Sequence, residues 1–289
     1  MNFVMRIAST TAILIATYTV LLVISRPEIR AGQHQWQDNL VVAQNFVSEL
    51  ALYSVVIVGS SLSTRLKGLP SSYYNLACGG MDSITGMTVV LRSGARPKIV
   101  LLEAQTLMGR NSQFIATLFS PWAEIRDYLP LLQERYKPIN LFLFLIGAHP
   151  ARPKLKEIMN PAPAPPRELV EFHARNVDIP VTEQHRRQFV AHLEELADLM
   201  ARACERGILP VLVDFPVPPE VQAGQMVRYH HKAFLERFPP SKFHWIFLAN
   251  ADIPVGTTDG LHLSPHSAHA FGKFLVRQVD DLIHRSLSD

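Results

Sequence analysis

An aspartate and a histidine stand three positions apart near the carboxyl end of the chain. Asp259 and His262 come just before Ser264 and Pro265. Serine is a favoured N-cap and proline a favoured first helical residue, so we predict a helix from Pro265 to about Leu287. The loop before that helix can set the carboxylate against one imidazole nitrogen and leave the other nitrogen free. That arrangement is the orienting half of a Ser-His-Asp hydrolytic site.

A candidate nucleophile follows an apolar, β-branched run far earlier in the chain. Residues 54–58 predict a buried parallel strand, Gly59 permits a tight turn, and Ser60 and Ser61 can open a helix. Ligands of open α/β sheets bind at the carboxyl ends of strands, and backbone N–H groups there favour a developing oxyanion. A serine of this turn is therefore the candidate nucleophile, and the sequence leaves open whether Ser60 can take the place of Ser61.

Together, the two segments resemble the SGNH, or GDSL-type, hydrolase superfamily. Its first block is Gly-Asp-Ser after the first strand, and its last block is Asp-x-x-His before the final helix. Residues 59–61 match the first block with serine in place of the usual aspartate, and residues 259–262 match the last. The resemblance covers roughly residues 52 to 287 and implies a catalytic set of Ser61, Asp259 and His262.

The family's two middle blocks supply oxyanion-hole donors, and here they match less closely. Gly80 fits the second block, with Gly79 as an alternative. The third block calls for an asparagine after a hydrophobic strand, but Gln105 stands in that region, and Asn111 lies further on. The resemblance therefore implies an oxyanion hole made by the N–H groups of Ser61 and Gly80 and by the side chain of Gln105.

Three histidines close together in sequence raise the alternative of a metal site. They are His262, His266 and His269. No carboxylate or thiol completes an obvious zinc set, and the His-Glu-x-x-His pattern of zinc proteases is absent from the sequence. We therefore predict no metal and no cofactor.

Composition fits a single α/β domain with an appendage. The chain has 289 residues, of which 48% are hydrophobic, and its formal charge is only +3, which does not indicate a nucleic-acid partner. Cys78 and Cys204 are the two cysteines. They fit small buried residues better than a disulfide framework, although one disulfide stays open as an alternative.

The amino-terminal region contains an uncharged apolar run. Residues 7–25 carry no charge, and their length is close to the roughly 20 residues that span a bilayer. We predict an uncleaved anchor, with a cleaved signal peptide as the alternative. Arg6 on one side and Arg26 and Arg30 on the other leave the orientation undecided by charge.

The remaining pattern alternates between strands and helices. It predicts a doubly wound α/β sandwich with a mainly parallel sheet, preceded by one transmembrane helix. The resemblance implies that this is a three-layer α/β/α sandwich with a flavodoxin-like sheet of the SGNH type. The expected segments are an anchor or signal segment at 1–31, a tether and first helix at 32–51, and a hydrolase-like domain at 52–289. Strands are expected at 54–58, 74–77, 99–103, 141–146, 209–214 and 243–248. Helices are expected at 82–92, 122–134, 182–206, 218–238 and 265–287.

The resemblance and the anchor together imply a function. We expect an acyl-serine ester hydrolase or O-acyltransferase, with acetyl as the acyl group and an extracytoplasmic carbohydrate such as a bacterial exopolysaccharide as the acceptor. Peptidoglycan is a second candidate acceptor, and a multi-spanning membrane transacylase is a candidate partner. The domain would face the periplasm from the bacterial inner membrane. The alternatives are a catalytically inactive SGNH-fold component of a polysaccharide secretion system and a cytosolic lipase.

Overall fold

The computed structural model describes residues 3–25, 34–49, 52–146, 158–161 and 163–286. The described residues fall into two units. One unit draws on Met1–Ser48 and Ser112–Ala151, and the other on Glu49–Asn111 and Arg152–Asp289. The predicted boundaries at 31 and at 51 lie outside the described residues, whereas residues 34–49 of the predicted tether and first helix are described.

Strands and helices alternate along the second unit, as is typical of an α/β protein. The strands are β1 (Val55–Val58), β2 (Tyr73–Asn75), β3 (Ile99–Glu103), β4 (Leu209–Asp214) and β5 (Trp245–Phe247). The helices of the two units together are α1 (Phe3–Ser25), α2 (Gln35–Ser48), α3 (Ser61–Thr64), α4 (Ser83–Ser93), α5 (Ser112–Leu118), α6 (Ala123–Tyr128), α7 (Pro138–Leu145), α8 (Arg167–Val177), α9 (Glu183–Glu205), α10 (Pro219–Gln222), α11 (Gln225–Arg237) and α12 (Pro265–Ser286).

The five strands form one parallel sheet in the order β2-β1-β3-β4-β5. This is a doubly wound order: β2 lies on one side of β1, and β3, β4 and β5 lie on the other. Such an order opens a crevice at the strand ends. Strands β1 and β3 are buried along their whole length, because helices cover both faces of the sheet. The loops that follow β1, β3 and β4 meet at the carboxyl edge.

Alternate side chains of the strands face different helices. Ile57 and Leu101 share a buried apolar cluster with Phe271 of α12. On the opposite face α4 approaches β1 so closely that a Cβ on Gly86 would lie 2.6 Å from Cβ of Val58. Helix α9 also packs against α4 and β4. The predicted α/β class with a parallel sheet is therefore confirmed.

The first unit contains the apolar amino-terminal helix. Phe3–Ile24 has a mean hydropathy of 2.1 and is long and apolar enough to cross a membrane. It is exposed along nearly all of its length. In the same unit α2 contacts α5, where the rings of Trp36 and Phe114 meet edge to face at 5.6 Å.

One predicted strand is wrong. Residues 141–146 belong to α7 and its end, where the N–H of Ile146 donates to the carbonyl oxygen of Phe142. A short, wholly apolar run has no periodicity that separates a strand from a helix. Pro138 at the first helical position favours the helix, and the sheet ends at β5 without this segment.

Other helices differ from the sequence expectation in their extent. The predicted helix at 218–238 is two helices, because Gly224 adopts an extended backbone against Val177 of α8. The predicted helix at 122–134 stops at Tyr128 and continues as 3-10 turns. Helices α5 and α8 were not predicted. No residue of α8 is fully buried, and its inward face is a short half-buried stripe of Val170, His173, Ala174 and Val177.

Candidate functional site: a serine, a histidine and an aspartate at the carboxyl edge of the sheet

The serine turn follows β1 directly. Ser60 is the N-cap of α3, and its side chain accepts a hydrogen bond from the N–H of Leu62 at 3.3 Å. Ser61 is therefore the first residue of α3. This cap holds Ser61 at the carboxyl edge of the sheet, and the side chain of Ser60 turns inward while that of Ser61 points to the loop before α12.

Asp259 and His262 lie on that loop, as the cap of α12 predicts. The N–H of Ser267 donates to Oγ of Ser264, which confirms the capping serine. Oδ1 of Asp259 accepts the N–H groups of Leu261 and His262 at 3.1 and 2.8 Å. The carboxylate thus folds its own loop into a turn.

The three side chains form one hydrogen-bonded chain. Oδ2 of Asp259 lies 2.7 Å from Nδ1 of His262, and Nε2 of His262 lies 2.8 Å from Oγ of Ser61. A carboxylate accepts only, so we assign the imidazole proton to Nδ1. Nε2 then carries the lone pair and accepts the hydroxyl proton of Ser61. The structure brings together all three residues that the sequence selected.

Hydrogen bonding keeps Asp259 ionised. Partial burial alone would raise the pKa of Asp259, but hydrogen bonds from the N–H and imidazole of His262 and from the N–H of Leu261 lower this pKa to about 2. A carboxylate with this pKa stays charged at neutral pH and can stabilise a protonated imidazole beside it.

The Asp259 loop needs a glycine at position 260. Gly260 has a φ of +86°, and a Cβ there would lie 2.8 Å from Cα and 2.9 Å from N of Val170 in α8. Both the left-handed backbone and the close approach of α8 exclude a side chain. Helix α8, which the sequence did not reveal, is thus one wall against which the Asp259 loop is formed.

Glu103 is a site residue that sequence reasoning missed. It ends β3, is 2% exposed, and accepts the N–H groups of Ser60 and Ser63 at 2.9 and 3.1 Å. It also accepts both serine hydroxyls. Burial raises the pKa of Glu103 even though these hydrogen bonds oppose the rise. A charged residue that closes an otherwise apolar strand was the available clue.

Glu103 requires Gly59 and is further tied to α4. A Cβ on Gly59 would lie 2.6 Å from Cβ of Glu103, so only glycine lets the turn pass over the carboxyl group. Oγ of Ser83 donates to the carbonyl oxygens of Val58 and Glu103. The serine turn therefore lies on a buried polar platform that joins β1, β3 and α4.

Gly80 lies on the loop that follows β2. Its φ is +69°, a conformation that favours glycine. The same loop is joined to the serine turn, because the N–H of Cys78 donates to the carbonyl oxygen of Gly59 at 3.0 Å. Asp82 then caps α4 through the N–H of Thr85.

Gln105 makes other contacts than the expected one. Its Nε2 donates to Oδ1 of Asp214 at 2.9 Å and to the carbonyl oxygen of Phe215 at 2.7 Å. Both amide hydrogens are used by these bonds. Asn111 lies after the same strand, and its backbone N–H donates to Oγ1 of Thr85.

A cavity of about 130 Å³ opens beside Gln105 at the carboxyl ends of β3 and β4. Its wall includes Asp214, Phe215, Arg228 and His231. Burial raises the pKa of Asp214, and the nearby His231 opposes that rise. This polar cavity lies at the edge of the sheet where a doubly wound fold binds ligands.

The neighbouring histidines and the cysteines have other surroundings. Nδ1 of His266 lies 2.9 Å from the carbonyl oxygen of Ile158, whereas His262 is held between Asp259 and Ser61. Among the described residues no three histidine, cysteine, aspartate or glutamate side chains are grouped as metal ligands. Both cysteines are free: Cys78 is buried, which raises its pKa to about 12, and Cys204 is exposed.

No protein-family model and no curated protein matches this chain. The class of site therefore rests on the fold and the geometry. These consist of a parallel doubly wound sheet and a Ser-His-Asp hydrogen-bonded chain at its carboxyl edge.

Proposed function

We propose that this protein is a serine-dependent acyl hydrolase or O-acyltransferase of the SGNH type. The observation that carries the proposal is the hydrogen-bonded chain from Asp259 through His262 to Ser61. The doubly wound sheet and the serine turn that follows β1 support the same family. Ionised Asp259 supports the catalytic role of its partner imidazole.

The first half of the reaction forms an acyl-serine. Nε2 of His262 takes the hydroxyl proton of Ser61 as Oγ bonds to the ester carbonyl carbon, whose oxygen becomes an oxyanion. Asp259 stabilises the imidazolium. When the tetrahedral intermediate collapses, the bond to the alcohol breaks, and His262 gives its proton to the leaving oxygen.

The second half repeats these proton transfers with a new hydroxyl. Water or a sugar hydroxyl gives its proton to Nε2 of His262 and attacks the acyl carbon. Oγ of Ser61 then leaves and regains the proton. Water makes the protein an esterase, and a sugar hydroxyl makes it an O-acyltransferase. The chemistry before this branch is the same for both outcomes.

For the oxyanion hole we propose the backbone N–H groups of Ser61 and Gly80. Gln105 joins them only if its amide leaves Asp214 and Phe215, to which it donates both hydrogens. Losing one oxyanion donor costs roughly 3 kcal/mol of transition-state stabilisation. This engaged amide is the observation that favours the alternative function, an inactive SGNH-fold binding or assembly component.

We place the reaction outside the cytoplasm, with α1 as the anchor in a bacterial inner membrane. Acetyl is the proposed acyl group, an exopolysaccharide or another carbohydrate the acceptor, and a multi-spanning transacylase the partner that supplies the acyl group. The length and hydropathy of α1 support the anchor. The acyl group, the acceptor and the transacylase rest on the family resemblance.

The test of the chemistry is covalent labelling by a serine-directed fluorophosphonate, together with p-nitrophenyl acetate turnover. We expect labelling at Ser61, and we expect Ser61→Ala and His262→Ala to abolish both signals. Ser93→Ala is the matched control, because Oγ of Ser93 donates to the carbonyl oxygen of Val90 and accepts the N–H of Ala95, at the far end of α4 from the site. Labelling at Ser60 instead would assign the role of nucleophile to Ser60. An unlabelled wild type would favour the inactive alternative.

The test of the orientation uses the chain's own cysteines. An impermeant maleimide added to intact spheroplasts should label exposed Cys204, while buried Cys78 stays unlabelled. Burial raises the pKa of Cys78 to about 12, so little reactive thiolate forms there. Cys204→Ser should remove the label. Labelling of Cys204 only after lysis would contradict the periplasmic location.

A further inference from the structure

The first unit exposes a second apolar surface besides α1. Within residues 122–146 large apolar side chains point outward on α6, on a 3-10 turn and on α7. Leu145 is 72% exposed and Trp122 is 68% exposed. The other exposed apolar residues of this segment are Ile125, Leu129, Leu132, Ile139, Phe142 and Ile146. So many exposed apolar side chains in one short segment indicate an interaction surface rather than scattered surface residues.

This surface, which we call the 122–146 segment, is in contact with α1. The hydroxyl of Tyr18 donates to the carbonyl oxygen of Tyr136 at 2.6 Å. Leu22 and Tyr136 form a buried apolar cluster against which Leu131 and Leu141 also pack. The segment is therefore attached to the end of α1 that leads toward the rest of the chain.

These contacts set the depth of the segment if α1 crosses a bilayer. At 1.5 Å per residue, Leu22 lies about 5 Å and Tyr18 about 10 Å before the end of α1 at Ser25. The whole helix is about 34 Å long, close to the roughly 30 Å of a hydrocarbon core. Residues that contact Tyr18 and Leu22 must then lie at the level of the membrane surface or just inside it.

The backbone and charges of the segment are compatible with that depth. Its helices and turns satisfy backbone N–H groups internally, as for Tyr136 to Gln133 and Leu141 to Lys137. Lys137 pairs with Glu134 at 2.8 Å. The guanidinium of Arg135 lies 4.6 Å from the ring of Tyr136. Tryptophan, tyrosine and snorkelling basic residues are the types enriched at membrane–water interfaces.

We infer that the 122–146 segment is a second, non-spanning membrane contact that lies in the lipid interface beside α1. The occupant of its apolar face is lipid, because the segment packs against a helix that itself can span the bilayer. The inference rests on the proposed insertion of α1, and it does not depend on the serine chemistry.

The experiment uses the full chain in vesicles of about three parts phosphatidylcholine to one part phosphatidylglycerol, with acyl chains brominated to quench tryptophan. Trp36→Phe with Trp245→Phe keeps Trp122 as the single reporter. A chain in which all three natural tryptophans are replaced by phenylalanine and Leu145→Trp is added supplies a reporter at the other end of the segment. We expect the tryptophan fluorescence of both reporters to be at least about twofold lower in brominated lipid than in matched plain lipid.

Two controls separate this inference from the anchor and from nonspecific quenching. A chain without the natural tryptophans but with Leu14→Trp reports the lipid contact of α1, on which Leu14 is exposed. A chain that retains only Trp245, whose indole N–H donates to the carbonyl oxygen of Phe238, reports the sheet. The α1 reporter should be quenched and Trp245 should not.

Each outcome decides the inference. If Leu14→Trp is quenched while Trp122 and Leu145→Trp are not, the anchor stands and the lipid contact of the segment is overturned. That result is expected if a second copy or the helices of another protein cover the face. If Leu14→Trp is not quenched either, the anchor and the inference fail together. Fluorophosphonate labelling of the same samples reports the enzymatic proposal separately.

Discussion

Nε2 of His262 lies 2.8 Å from Oγ of Ser61, although the two residues are 201 positions apart in the chain. The two residues lie on separate segments that the fold brings together. Ser61 is held by the end of β1, and His262 by a loop before α12 that Asp259 folds with two backbone hydrogen bonds. The short distance between Nε2 and Oγ follows because both segments lie at the carboxyl edge of the sheet.

Asp259→Asn should slow fluorophosphonate labelling by about 10³- to 10⁴-fold, because an amide favours the wrong imidazole tautomer. Asp252→Asn, at an exposed position shortly before the same loop, should leave the rate unchanged. Labelling rates of the purified proteins measure the effect. Equal rates for wild type and Asp259→Asn would remove Asp259 from the mechanism.

The same carboxylate predicts a pH dependence of stability. The pKa of Asp259 is about 2 in the folded protein and about 3.9 in an unfolded chain. The folded state therefore gains stability from the charged form above about pH 4, and this gain is lost as the pH falls toward 2. Urea unfolding of wild type and Asp259→Asn should give a difference that shrinks over this window.

Glu103→Ala should remove the platform beneath the serine turn. It leaves the N–H groups of Ser60 and Ser63 buried without their acceptor, at a cost of about 1–3 kcal/mol for each group. Glu103→Gln keeps the shape and one acceptor oxygen, so it should unfold less readily and label faster than Glu103→Ala. Urea unfolding and labelling rates test both. Similar labelling by both variants and wild type would show that Glu103 does not position Ser61.

Gly260→Ala should damage the site more than the backbone conformation alone explains. At Gly207 the φ is +75°, and a Cβ would meet nothing within 4 Å, so Gly207→Ala measures the left-handed cost of about 1–2 kcal/mol. At Gly260 the added methyl also meets the backbone of Val170. We expect a larger loss of stability and at least about tenfold slower labelling for Gly260→Ala. Equal effects of the two changes would contradict the role assigned to α8.

His230 should make the fold sensitive to acid. Its ring stacks on Phe189 at 3.9 Å, and burial, with a smaller contribution from His185, lowers the pKa of His230 from 6.5 to about 4. Folding favours the neutral ring, so stability is lost as the pH falls from 6.5 to about 4, by at most about 1.4 kcal/mol per pH unit.

The control for that prediction is another histidine. His230→Gln should flatten the pH dependence of the urea midpoint between about pH 6.5 and 4, because the titrating ring is gone. His173→Gln on α8 makes the same chemical change elsewhere and should keep the wild-type dependence. An unchanged dependence in His230→Gln would exclude His230 as its source.

Several elements were predictable because their determinants are local. Strands β3 and β4 have the predicted bounds, 99–103 and 209–214, since apolar β-branched runs flanked by turn residues favour buried strands. The start of α12 follows from a serine cap and a proline. The apolar helix near the amino terminus follows from an uncharged run alone.

Other features depend on neighbours that are distant in sequence. The apolar run at 141–146 has no local pattern that distinguishes a strand from a helix, and it became α7. His230 stands in a polar run of the sequence, yet it is buried against Phe189. Gln105 was expected to face the oxyanion, yet it donates to Asp214 and Phe215 across the end of β4.

The amino-acid sequence by itself determined which residue types could do the chemistry, their order, the strand and helix starts beside them, and an amino-terminal run apolar enough for a membrane. These depend on composition, spacing and capping, which are short-range properties. Only the tertiary structure decided the approach of Ser61 to His262, the buried Glu103 beneath the serine turn, and the close contact of α8 with Gly260. Such contacts depend on how parallel strands align and on which helices cover their ends, and no short segment encodes this.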